Sequence, residues 1–251
     1  MQAIILAAGM GTRMGNLTKN VPKPMLKIGE KPILEYIINL LVVHKFRDIG
    51  INLFYKGNQI QKYFGNGSRF GAKITYVRER ALSGTAGGVK KVANALKITD
   101  NFLVISGKML VNFDLTNFYK FHTKMGGIAS LCCYWRPKTK ILNKSGIVLF
   151  NQDDLISKFV ERPQTIKQIS SQWVNSSVYI FRPEIINYIS SSKNHETVID
   201  LAKDIFPKLL LNEKIYAYPI NRKRYYQLGI DTPERIIQAK KDLVSRKFIR
   251  F

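Results

Sequence analysis

Leu6 to Pro24 reads LAAGMGTRMGNLTKNVPKP, and it follows the apolar run Gln2 to Leu6, which has the length of a β-strand. Gly9 and Gly11 lack a Cβ, so the backbone there can turn sharply and bring its N–H groups close to an anion. Arg13, Lys19 and Lys23 follow, and no carboxylate interrupts the stretch. A glycine turn leaving a strand and edged with cations offers the charge and the hydrogen bonds that a polyphosphate needs. The stretch is therefore the expected cradle of a nucleoside triphosphate.

Two other glycine-loop chemistries fail on spacing. A dinucleotide fingerprint needs a third glycine at position 14, which is Met14, and an acid at the end of the second strand, where Phe54, Tyr55 and Lys56 stand. A Walker A loop counted from Gly9 also reaches Met14 where Gly-Lys-Ser/Thr should begin. A tight turn with no ligand is the plain alternative, and Arg13 with Pro22-Lys23-Pro24 weighs against it.

Outward from that loop the chain alternates. Strand-like runs at Gln2 to Leu6, Asp48 to Phe54, Lys73 to Val77 and Phe102 to Ser106 are separated by helical patterns at Ile33 to His44, Gln59 to Phe64 and Ala86 to Leu96. This predicts βαβ units in an α/β fold, a mixed but mostly parallel sheet with helices on both faces. From Gly127 the pattern turns to strands with short connections (Ile128 to Trp135, Gly146 to Phe150, Leu155 to Val160, Trp173 to Phe181). Helices follow near Pro183 to Ile189, Val198 to Leu211 and Thr232 to Val244. One domain over 1–251 is expected, divided where the pattern changes into halves 1–126 and 127–251. No linker, repeat or hexapeptide β-helix pattern is visible.

Composition narrows the classes. The 251 residues are 45% hydrophobic and 23% charged, ordinary for a globular protein with one core. No segment approaches the roughly eighteen uninterrupted apolar residues of a membrane span, and a strand starting at residue 2 leaves no room for a leader, so no membrane role is expected. Cys132 and Cys133 are adjacent in an apolar run, which predicts two buried thiols and a reducing compartment, the cytoplasm or an organelle stroma. His44, His122 and His195 show no ligand spacing. Forty Lys plus Arg against 17 Asp plus Glu give +23, and Arg222 to Tyr226 (RKRYY) interleaves basic with aromatic residues as single-strand binders do. The excess is spread along the whole chain, however, and no nucleic-acid module is visible, so nucleic acid is not an expected partner.

The order Gly-x-Gly-Thr-Arg at Gly9 to Arg13, with Pro-Lys-Pro at Pro22 to Pro24, resembles the signature of the sugar-1-phosphate nucleotidylyltransferases. Leu82 to Val89 (LSGTAGGV), Phe102 to Leu115 (FLVISGKMLVNFDL), Ser145 to Val148, Phe159 to Pro163 (FVERP), Val174 to Glu184 (VNSSVYIFRPE) and Thr232 to Ala239 (TPERIIQA) extend the resemblance over nearly the whole chain. PILEYIINLL, YFGNGSRFGAKITYVRE and DIFPKLL look most like the mannose-1-phosphate guanylyltransferase branch. The resemblance implies a Rossmann-like fold of the nucleotide-diphospho-sugar transferase type, a single nucleotidyltransferase domain with 1–126 as its nucleotide-binding half and 127–251 as its sugar-phosphate-binding half. It also implies transfer of a nucleotidyl group from a nucleoside triphosphate, GTP by branch, to a sugar 1-phosphate, mannose 1-phosphate by branch, for polysaccharide biosynthesis. A homo-oligomer is compatible with it. The alternative is a catalytically impaired sugar-nucleotide binder with a regulatory role.

Carried over residue by residue, the resemblance makes Arg13 and Lys23 the holders of the triphosphate and Arg162 the grip on the sugar phosphate. Ala8, Gly9, Gly11 and Thr12 would line the nucleotide, with Gly84, Thr85, Ala86 and Gly87 against the base. Glu161, Asn175 and the backbone near Gly146 would complete the sugar pocket. The departure lies at the expected magnesium. The family's two aspartate ligands fall on Lys108 and Gly229, with Asp231 displaced by two residues as the remaining carboxylate. An ammonium does not coordinate, and a single positive charge about 4 Å from a doubly charged cation is repelled by roughly 8 kcal/mol at an effective dielectric of about 20. Either Lys108 substitutes for the metal, or Asp231 and phosphates hold a shifted ion, or catalysis is lost.

Overall fold

Successive side chains of Gln2–Leu6 go to opposite faces of a sheet, and both faces are covered. Ala3 and Ile5 join one buried cluster and Ile4 the other. Phe102–Ser106 repeats the division, with Leu103 and Ile105 on the side of Ile5 and Phe102 and Val104 on the side of Ile4. Continuous apolar strands are what a parallel sheet between two helical layers requires.

The computed structural model describes residues 1–189, 198–221 and 223–245. In chain order these form β1 (Gln2–Leu6), a hairpin of β2 (Lys27–Ile28) and β3 (Lys31–Pro32), α1 (Ile33–Val43), β4 (Asp48–Leu53), α2 (Gly57–Phe64), β5 (Lys73–Arg78), α3 (Gly84–Leu96) and β6 (Phe102–Ser106). Then come β7 (Met109–Val111), α4 (Leu115–Met125), β8 (Ala129–Trp135), β9 (Ile147–Phe150), β10 (Ile156–Val160), β11 (Trp173–Phe181) and α5 (Ile185–Tyr188). A π-helical turn at Leu201–Ile205 runs into α6 (Phe206–Asn212), followed by β12 (Ile215–Ile220), β13 (Gln227–Gly229) and α7 (Pro233–Val244).

Among the described residues one mixed sheet of nine strands runs β10-β9-β11-β6-β1-β4-β5, with β8 paired to β11 and β12 to β8. β5, β4, β1 and β6 are parallel, whereas β11 runs antiparallel to β6, β8 and β9. The chain moves from β1 outward through β4 to β5 and then returns to place β6 on the other side of β1. The order therefore reverses at β1, and ligands of open α/β sheets bind in the crevice that such a reversal leaves at the carboxyl ends of the strands. The loop after β1 and the turn after β6 flank that crevice.

Residues α1, α4 and α7 contribute, such as Leu34, Phe118 and Ala239, belong to the cluster on Ile5's face; Val89 of α3 and Phe206 of α6 belong to the other. Several elements were not expected from sequence: the β2–β3 hairpin, β7, β13, α4 and β12. The single helix expected over Val198 to Leu211 is a π turn followed by α6, preceded by Asp200, whose carboxylate accepts from the N–H groups of Ala202 and Lys203. Cys132 and Cys133 are buried free thiols. His44 meets Thr116 Oγ1 and His122 meets Ser130 Oγ, each at 2.9 Å, while His195 and Arg222 lie outside the described residues.

Candidate active site

The glycine loop is anchored from behind by side chains the sequence reading missed. Where β1 ends, the N–H of Ala7 donates to Asn52 Oδ1 at 2.7 Å, and Asn52 Nδ2 donates to Glu79 Oε1 at 2.6 Å. Glu79 Oε2 in turn accepts from the Ser83 N–H and hydroxyl, with Lys91 at 3.5 Å. The carboxyl ends of three adjacent strands are thus tied together, and the brace continues to the residue before α3. Gly88 makes room for it, since a Cβ there would lie 2.6 Å from Asn52 Nδ2. The only signals in the sequence are an asparagine at the end of an apolar strand and a glutamate just past the next.

Beyond the brace the backbone turns through Gly11 at φ 72°, a left-handed conformation that glycine adopts without strain. The Gly11 carbonyl accepts from the Met14 N–H at 2.8 Å and from the Thr18 hydroxyl at 3.0 Å, and Tyr55 OH donates to the carbonyls of Thr18 and Lys19. Pro22 and Pro24 hold Lys23 in a short 3₁₀ turn, where its side chain is largely buried. Burial, with Lys108 and Arg13 nearby, lowers the Lys23 pKa from its ordinary value, while Asp231 opposes the shift.

Three cations converge on one carboxylate oxygen. Asp231 Oδ1 is 2.9 Å from Lys108 Nζ, 3.0 Å from an Arg13 guanidinium nitrogen and 3.6 Å from Lys23 Nζ. Two backbone features place Lys108: it follows β6 in the turn at the crevice, and its carbonyl accepts from the Ile230 N–H at 2.9 Å beside the β7–β13 ladder. Burial pushes the Asp231 carboxyl up, but Lys108, Lys23 and Arg13 together outweigh it and hold the pKa below the usual carboxylate value.

Across the cleft, a register shift in β11 after Asn175 leaves that residue bonded inside the strand by its own side chain. Asn175 Nδ2 donates to Tyr179 OH at 2.8 Å, Oδ1 accepts from the Ser177 N–H at 3.0 Å, and the Asn175 N–H donates to the Gly146 carbonyl. Gly146 admits Glu161, because a Cβ there would meet Glu161 Oε2 at 2.4 Å. Burial raises the Glu161 pKa, and Arg162, whose Nε lies 3.2 Å from its carboxylate, opposes the rise.

These groups line one cleft of about 730 Å³, which takes in Arg13, Lys108, Gly146, Glu161, Arg162, Asn175, Gly229 and Asp231. Seven of its lining side chains are cationic and two acidic, a balance suited to a phosphorylated ligand. Gln227, which the sequence did not single out, also lines it; the residue is 5% exposed, and neither amide atom has a partner among the described residues. Ala8, Gly9, Gly11, Thr12, Lys23 and Gly84 to Gly87 are not part of the lining. Lys23 reaches Asp231 from beneath, and Gly84 to Gly87 open α3 against residues 199–201. There Gly84 has φ 78° with no space for a Cβ, Ala86 N–H donates to the Ile199 carbonyl, and the Thr85 hydroxyl donates to Asp200.

The donor set does not fit magnesium. A hard cation needs several oxygen ligands, but the two positions expected to supply them hold an ammonium and a glycine. Each of the cleft's two acids is already ion-paired, and no cluster of three or more ligating side chains exists among the described residues.

Residues 2–245 match the nucleotidyl transferase family. A UTP–glucose-1-phosphate uridylyltransferase of Synechocystis sp. is 37% identical over 221 residues, covering 84% of this chain and 55% of the relative. A mannose-1-phosphate guanylyltransferase of Mycobacterium tuberculosis is 27% identical over 246 residues, 97% of this chain and 65% of the relative. The chain thus spans between half and two thirds of the length of these relatives. A putative glucose-1-phosphate thymidylyltransferase from Bacillus anthracis shares the fold with a TM-score of 0.84 at 20% identity, covering 100% of this chain and 97% of that one. A UDP-glucose pyrophosphorylase complexed with UDP-glucose shares it at 0.82 and 19%, covering 98% of each chain. With the glycine loop at the sheet's reversal point and a match over almost its full length, the chain belongs to the nucleotidyl transferase family.

Proposed function

We propose that the cleft transfers a nucleotidyl group from a nucleoside triphosphate to a sugar 1-phosphate, giving a nucleoside diphosphate sugar and pyrophosphate. The observation that carries this reading is the meeting, in one cleft, of Arg13 and Lys108 with the Glu161–Arg162 pair and Asn175. Arg13, Lys108 and, from below, Lys23 take the triphosphate, and the loop Ala8 to Thr12 supports it. Gly84 to Gly87 face the base, Arg162 holds the sugar phosphate by a bidentate contact, and Glu161, Asn175 and the Gly146 backbone bind sugar hydroxyls. Catalysis on this reading is positioning and charge stabilisation.

The two sequence relatives named above supply two substrate pairs, UTP with glucose 1-phosphate and a guanylyl donor with mannose 1-phosphate. Motif likeness favours the guanosine pair, and the 37% identical uridylyltransferase favours the uridine pair. One observation favours a second reading, a binder that no longer catalyses: the ligand positions of the expected metal carry Lys108 and Gly229. Pyrophosphate release across the four nucleoside triphosphates and several sugar 1-phosphates separates the two. Release that depends on both substrates supports transfer, and saturable nucleotide binding without release supports the binder.

A further inference from the structure

The electrostatics of the cleft lead to a consequence for the chemistry that rests on the transfer reading. Both cleft acids are ion-paired, Asp231 Oδ1 with Lys108, Arg13 and Lys23 and Glu161 with Arg162, and the two positions where the family resemblance puts the metal's carboxylates hold Lys108 and Gly229. The cations, by contrast, are already gathered. Lys108 is fixed at both ends, through its carbonyl to Ile230 and through Nζ to Asp231.

We infer that this chain transfers the nucleotidyl group without a divalent cation, the Lys108 ammonium occupying the place where the family resemblance puts magnesium and sharing the phosphate charge with Arg13 and Lys23. Asp231 is the stand-in anion that keeps the three cations together. An arriving triphosphate takes over those contacts, exchanging one carboxylate for several phosphate oxygens. An oxygen of the sugar 1-phosphate then forms a bond to the α-phosphorus. The bond from that phosphorus to the bridging oxygen of the β-phosphate breaks, and its electron pair leaves with pyrophosphate. No proton or electron passes to the protein, so nothing in the step requires a further reactant. The charge that builds on pyrophosphate falls on preorganised ammonium and guanidinium groups.

The test measures two quantities on the full chain, each in excess EDTA and in millimolar magnesium: pyrophosphate release, and equilibrium binding of UTP and GTP by calorimetry. The expected result is release in EDTA within about threefold of that in magnesium, with the metal-free triphosphate binding the more tightly. Lys108→Asp should reverse the binding preference, and Lys108→Gln, a milder change, should weaken metal-free binding about tenfold or more. A tenfold or greater requirement for magnesium in release or in binding, unchanged by either variant, would overturn the inference and leave the transfer reading intact. Absence of release under every condition would contradict the transfer reading and with it metal-free transfer, while the binding preference would still show whether Lys108 takes the metal's place at the phosphates.

Discussion

Lys108 and Asp231, 123 residues apart in the chain, meet at 2.9 Å, and the oxygen that receives Lys108 also receives Arg13 and Lys23. Exchanging Asp231 for asparagine keeps the size of the side chain and removes the anion that, on the proposed reading, competes with phosphate. Asp231→Asn should bind a metal-free triphosphate about threefold tighter or more, since a negative charge leaves the immediate surroundings of the phosphates. Its ligand-free form should melt about 2–4 °C lower through repulsion among the three cations. Calorimetry and thermal melting check both; weaker binding would show that Asp231 is not a competitor. Because the folded pKa of Asp231 is lowered, the stability it contributes is complete above the usual carboxylate range and is lost as pH falls through that lowered value.

Arg13 and Lys23 reach Asp231 from two sides, one exposed on the loop and one buried beneath it, where the proposed reading puts the triphosphate. Arg13→Ala and Lys23→Met each remove a charge-assisted contact of about 1.5 to 3 kcal/mol, so triphosphate affinity should fall roughly tenfold to a hundredfold or more. Methionine keeps the buried stem of Lys23, which separates loss of charge from loss of packing. Unchanged affinity in both variants would remove the loop from the phosphate site.

The brace behind the loop makes a prediction about stability. Asn52→Ala leaves the Ala7 N–H without its acceptor and a Glu79 oxygen without its donor, both buried. A loss of about 2 kcal/mol or more in denaturant unfolding is expected, because each unsatisfied buried group costs about 1–3 kcal/mol. Triphosphate affinity should fall too, since the loop loses its anchor to β4. A variant as stable as the parent would mean the brace contributes nothing.

His122 gives the protein an acid-sensitive core. Burial, reinforced by Arg182, lowers its pKa from 6.5 to about 4. The unfolded chain therefore binds the proton more readily, and stability falls as pH drops from 6.5 to about 4, by about 3 kcal/mol if the full shift is expressed. His122→Asn preserves a partner for Ser130 and should flatten the unfolding profile over that interval. The same slope in both proteins would assign the acid sensitivity elsewhere.

The parts of this fold that were legible in the sequence are those with local signatures. β1, β6 and β11 have the expected bounds because apolar runs of strand length stand between turn residues, and the glycine loop was readable from two glycines and its cations. α4 escaped because its buried stripe is only Leu115, Phe118 and His122, one of them polar, although Asp114 caps its start. β12 escaped because Pro219 interrupts its pattern; the strand tolerates it off the main strand order, where β8 is its one strand neighbour among the described residues. The site divides in the same way. Arg13, Glu161, Arg162 and Asn175 had motif context, whereas Asn52, Glu79 and Gln227 carry their meaning only through contacts made across the sheet. Lys108 was visible as a departure, yet its pairing with Asp231 depends on the β7–β13 ladder, which spacing does not announce.

The most direct test of the account follows the α-phosphorus. With a nucleoside triphosphate labelled at that atom and a sugar 1-phosphate, the label is expected to appear in a nucleoside diphosphate sugar with one pyrophosphate released per transfer, and to disappear with Arg162→Ala or without the sugar phosphate. Label that stays in the triphosphate with every substrate pair, or that appears as nucleoside monophosphate without any sugar phosphate, would contradict it.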